Sequence, residues 1–175
     1  GAHRSVIEAV AVDMWGPYLA AIEKSFPNAD IVHDKFHIVS YLTKMVDEVR
    51  RKEHNELKQA GTEDLLTGTR YTWLRNPTNW TEKDEATFEE LQSKGLKVAR
   101  AWAIKETFLE LWDYRYEGPA RKFFDRWYGW ATHSRLKPVI KVAKMIKRHI
   151  NNILTYLKHR ITNAAAEGFN SKVQS

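Results

Sequence analysis

The sequence predicts a mixed, predominantly α fold with a small α/β element of two parallel strands near the N-terminus. Three observations predict it. Two short runs rich in Val and Ile flank a single helical repeat before residue 35. From Ile38 onward, apolar residues recur almost entirely at helical spacing. Hydrophobic residues make up 43% of the 175 residues and include seven Trp, enough large rings for a packed interior, while cysteine is absent.

The elements follow in order. Val6 to Met14 is apolar, Val-rich and short, which fits a buried strand. Gly16-Pro17 ends it, with Pro well placed in the first turn of a helix. That helix carries Leu19, Ile22 and Phe26 and stops at Pro27-Asn28. Ile31-Val32-His33 is a second strand, and strand, helix, strand over so short a stretch reads as a βαβ unit. A helix from Ile38 to about Ala60 follows, with Ile38, Tyr41, Leu42, Met45 and Val49 on one face; Gly61 and the Gly68-Thr69 region break the pattern. Leu74 to Thr81, with Pro77 and two Asn, reads as a loop. Glu82 to Ser93 is an acidic helix ending at Gly95. Leu96 to Glu117 is a long helix with Trp102, Phe108 and Trp112 inward; Gly118-Pro119 turns into another carrying Phe123, Phe124, Trp127 and Trp130. Pro138 to Arg160 is the most regular helix of all, and a last one starts near Asn163 and holds Glu167. Two strands alone do not make a stable sheet, and both chain ends read as cut, so further strands are expected outside these residues.

The formal charge of +6 and pI near 9.4 suit a polyanionic partner. The absence of Cys fits a reducing compartment and removes thiol nucleophiles and Cys-ligated zinc. No apolar run approaches the roughly 20 residues that span a bilayer, and no secretory pattern opens the chain, so a cytoplasmic protein is expected.

Asp13 directly follows the first strand, and in open parallel sheets functional groups collect at the carboxyl ends of strands. It suits a metal ligand and equally a cap for the next helix. Asp34 holds the corresponding position after the second strand and is also a plausible N-cap; His33 and His37 are four apart and suggest, weakly, a zinc pair. Glu167 lies one turn into the last helix, between three Ala and Gly168, where a partner can approach closely. On the helix from Pro138, Lys137, Lys141, Lys144 and Arg148 fall within a stripe roughly 60° wide at 100° per residue. Val139, Val142, Ile146, Ile150, Ile153 and Leu157 fall opposite. A ridge of cations without acids suits a phosphate backbone, or else is a solvated face. Trp73 and Trp80, flanking a loop, are candidates for stacking on bases.

Four segments together resemble one family: Val12-Asp13-Met14-Trp15-Gly16-Pro17-Tyr18, Ala29 to His37, Gly68-Thr69-Arg70-Tyr71, and Arg160 through Lys172. They are similar to bacterial insertion-sequence transposases of the ISL-three group, DDE enzymes with an RNase H-like fold. The resemblance implies two Mg2+ or Mn2+ ions held by three acids for DNA cleavage and strand transfer. It makes Asp13 the second acid and Glu167 the third, and places the first on a strand upstream of Gly1, so that the chain alone is expected to be inactive. Asp34 and His37 look like a D-x-x-H element near the site, and Lys172 is a DNA contact. Residues 1–37 would be a partial RNase H-like core, 38–160 a helical insertion, and 161–175 the start of the core helix with the last acid. The implied partners are transposon-end and target DNA, with homo-oligomers assembling on DNA. The alternative is a non-catalytic helical nucleic-acid-binding module, in which Asp13 and Glu167 serve as caps.

Overall fold

The computed structural model describes residues 7–13, 16–62 and 65–159. The first strand, β1 (Ala9–Val12), leads into helix α1 (Gly16–Ser25) and returns as β2 (Asp30–His33). The two strands pair in parallel, Ala9 opposite Asp30 and Val12 opposite His33, and form the whole of the sheet among the described residues. The predicted strand–helix–strand unit is therefore present, with strands shorter than the apolar runs that announce them.

Among the described residues, every element after β2 is helical. The longest helix, α2 (Lys35–Gln59), starts three residues before the predicted position because Asp34 caps it: its carboxylate accepts the Phe36 N–H at 2.8 Å. A short helix α3 (Arg70–Leu74) and a 3₁₀ turn (Pro77–Asn79) occupy what the sequence presents as a break and a loop. Helix α4 (Glu82–Gln92) opens on a capping box, with the Thr81 hydroxyl accepting the Asp84 N–H and the Asp84 carboxylate accepting the Thr81 N–H. Helix α5 (Lys97–Leu109) is shorter than predicted and passes through a 3₁₀ turn (Glu110–Asp113) before α6 (Glu117–Thr132), which takes Gly118 and Pro119 into its first turn.

The regular stretch from Pro138 is two helices, not one. Helix α7 (Lys137–Arg148) ends at His149, whose φ of −111° and ψ of 10° leave the helical region, and α8 (Ile150–His159) restarts beyond it. The bend lets α8 lie along β2, antiparallel to it. At the carboxyl end of the strand His33 meets His149; at the other end Asp30 takes Lys158 Nζ at 2.8 Å and His159 Nε2 at 2.7 Å.

The core is one continuous apolar cluster. Ile38, Leu42, Met45, Val46 and Val49 of α2 face Val98, Ala101, Ile104 and Phe108 of α5, and Val139, Ala143 and Ile146 of α7 complete it. Trp127 is buried with its indole N–H donated to the Ile104 carbonyl at 2.8 Å. Glu53 is buried too, and its carboxylate accepts the Lys97 and Val98 N–H groups at 2.7 and 2.8 Å, so α2 caps the N-terminus of α5. Trp73 is fully buried and bonded to Thr69, and Trp80 stacks on Trp102 in a cluster with Phe88. The fold thus uses both rings for packing, against the expectation that they stack on bases. Trp130, on the same helix as the buried Trp127, is 42% exposed.

Candidate strand-end site

Because β1 and β2 are parallel, their carboxyl ends share one edge of the sheet. The register opposes Val12 to His33, so Asp13 and Asp34 are the next positions on neighbouring strands; the Asp34 N–H donates to the Val12 carbonyl at 2.8 Å. Their carboxylates have different surroundings. Asp34 is 3% exposed and engaged in capping α2. Asp13 is partly exposed, with its Oδ2 3.8 Å from His37 Nδ1 in the first turn of α2. By capping α2, Asp34 fixes where His37 stands, and His37 faces Asp13. Three of the residues singled out in the sequence, Asp13, Asp34 and His37, are thus brought together. Glu167 and Lys172 lie outside the described residues.

His33 does not pair with His37. Its ring is fully buried, and its Nε2 lies 3.2 Å from His149 Nδ1, the rings edge to face at a centroid distance of 4.9 Å. Burial, and then the neighbouring His149, bring the His33 pKa down from 6.5 to about 4, against smaller opposing contributions from the Val12 backbone and the Asp13 carboxylate. His149 is shifted down as well, by burial and by Arg148. The two rings form a neutral hydrogen-bonded pair at neutral pH, one nitrogen donating and the other accepting. Nothing in local spacing announces this contact across 116 residues. It also replaces the zinc pair: among the described residues no group of three His, Cys, Asp or Glu is placed to hold a metal.

The cationic ridge has the predicted form. Lys137, Lys141, Lys144 and Arg148 are all exposed on α7, and Val139, Ile146, Ile150, Ile153 and Leu157 are buried on the other side of the α7–α8 pair. Val142 is only partly buried. The ridge ends at Arg148, next to the His149 that touches His33, so it leads to the strand-end site.

A transposase family model, that of the ISL3 (ISL-three) group of DDE transposases, matches residues 1–175. The chain belongs to this family. It is 28% identical over 170 residues to the transposase for insertion sequence element IS1001 of Bordetella parapertussis, covering 96% of this chain and 42% of that protein. It is 26% identical over 197 residues to the transposase for insertion sequence element IS1557 of Mycobacterium tuberculosis, covering 99% of this chain and 44% of that protein. This ISL3 chain thus spans less than half the length of the curated relatives it matches. No solved structure matches it. No helix among the described residues is long and apolar enough to cross a membrane.

Proposed function

We infer that this ISL3 chain is a part of the catalytic domain of an insertion-sequence transposase, which cleaves DNA and transfers the cut strand in a metal-dependent reaction. The observation that carries the reading is the placement of Asp13: an accessible carboxylate at the shared carboxyl end of two parallel strands, beside His37 and Asp34, in a chain matched by the family along its whole length. The parallel pair is part of an RNase H-like core, and residues 38–160 are a helical insertion in it.

Asp13 and Glu167 would hold the metal, Mg2+ or Mn2+, which when bound polarises the phosphate and activates the attacking oxygen. The roles of the remaining residues rest on chemistry in this chain. His37 orients the Asp13 carboxylate, and Asp34 holds the turn on which His37 stands. Lys137, Lys141, Lys144, Arg148 and Lys172 take phosphates of the DNA and set its register without reading bases. The resemblance places another acid N-terminal to these residues, so cleavage is to be assayed in a protein of the relatives' length. There, Asp13→Ala and Glu167→Ala abolish cutting of a labelled insertion-sequence end while DNA binding persists. Normal cutting by either variant overturns the assignment and leaves a non-catalytic nucleic-acid-binding module.

A further inference from the structure

The seam between α2 and α7 carries more than the cationic ridge. Asp34 caps the start of α2, and His149, just past the end of α7, touches His33; the two helices therefore run antiparallel from the same strand ends. Along α2, His37, Tyr41, Lys44 and Glu48 are spaced i, i+4, i+7 and i+11 and share one stripe. The stripe begins with the side chain that faces Asp13. Tyr41 is one turn further on, a rise of about 9 Å from the start of the helix. Opposite it α7 contributes Lys141, Met145 and Arg148, and these line a cleft of about 290 Å³ with Tyr41, Lys44, Met45 and Glu48 of α2.

The lining has two chemistries. Its apolar part comes from Tyr41, Met45, Pro138, Val142 and Met145, and its cations are Lys44, Lys141 and Arg148. Its one acid, Glu48, bonds Lys52 at 2.8 Å. We propose that this cleft receives an unpaired nucleotide of the DNA strand leading away from Asp13, with the base against Tyr41 and Met145 and the flanking phosphates on Lys44, Lys141 and Arg148. A duplex could use the cations but not the apolar part, because its bases are stacked inside. A single strand offers both phosphates and free base faces, and so uses both. A protein partner fits less well: nine residues line the cleft, against roughly 20–30 a side in a specific protein interface, and its three cations outnumber its one acid.

The inference rests on the reading that the chain acts on DNA, but not on which residues bind metal. The test measures the affinity of the protein for a fluorescein-labelled single-stranded oligonucleotide and for a duplex of the same length at low salt. Tyr41→Ala is expected to weaken the single strand roughly tenfold, the loss of one stacked base, and to change duplex binding less than twofold. Tyr41→Phe keeps the ring and keeps single-strand affinity, which separates stacking from loss of fold. Met145→Glu, which puts a carboxylate among the phosphates, repeats the selective loss. The proposal is overturned if the unsubstituted protein does not bind the single strand, if Tyr41→Ala and Met145→Glu leave that binding unchanged, or if they weaken both ligands equally. A failed cleft beside an inactive Asp13→Ala leaves the catalytic assignment standing. Selective loss beside a fully active Asp13→Ala keeps the cleft and removes the catalytic assignment.

Discussion

Lowering the pH from 7.5 to 5 should destabilise the fold through one buried ring. His33 has an ordinary pKa of 6.5 when the chain is unfolded and about 4 when it is folded, because the neutral ring is buried against His149. Between these values the unfolded chain binds a proton that the folded chain refuses, so stability rises with pH across that window and falls as acid is added. The loss from pH 7.5 to pH 5 amounts to about 2 kcal/mol for His33 alone. The downward shift of His149 acts in the same direction. Asp30 and Asp84 act outside the window: their pKa values are depressed from 3.8, by Lys158 and His159 for the first and by Thr81 for the second, so their contributions fade only at lower pH. For a chain of this size about 2 kcal/mol corresponds to a fall in Tm of roughly 4–8 °C. The assay is thermal unfolding followed by circular dichroism at several pH values, with chelator present, for the unsubstituted protein and for His33→Asn. The substituted protein starts less stable at pH 7.5 and loses much less on acidification. A His33 ring that titrates above pH 6 by NMR, or equal acid sensitivity in the two proteins, would refute the reasoning.

Two further predictions follow from the same structure. Glu53→Ala leaves the first two amides of α5 without their charged acceptor, one of them buried, and should cost about 2–3 kcal/mol in urea unfolding, with Glu53→Gln losing less. The double substitution Lys141→Glu and Lys144→Glu should weaken DNA binding without regard to sequence and flatten the plot of log affinity against log salt by about one to two units; an unchanged slope would mean that the ridge is merely solvated.

Much of the site was legible because local chemistry decides it. Strand ends follow from β-branched runs that stop at Gly-Pro or at a capping Asp, and placing Asp13 and Asp34 side by side needs only that the strands be parallel. The Lys137–Arg148 stripe needs only the helical period. The parts that escaped are those set by distant contacts. Ile146, Ile150, Ile153 and Leu157 keep their apolar phase straight through the bend at His149, so periodicity cannot mark it; packing of α8 along β2 does. Glu53 lies in the middle of α2 and looks like any surface acid until α5 arrives against it. Tyr41 reads as core from its spacing, yet it is only partly buried and lines the cleft between α2 and α7. Trp73 and Trp80 flank a loop in sequence, but α4 and α5 fold Phe88 and Trp102 onto them.

The central claim, that Asp13 and Glu167 belong to one metal site, is tested most directly by the separation of their carboxylates in a protein of the relatives' length bound to Mn2+ and DNA. Metals in a two-metal site lie about 3.5–4 Å apart, so the account predicts the two carboxylates within roughly 8 Å of each other, with density for the ion between them. Carboxylates tens of ångströms apart in that complex, or an ion bound elsewhere, would contradict it.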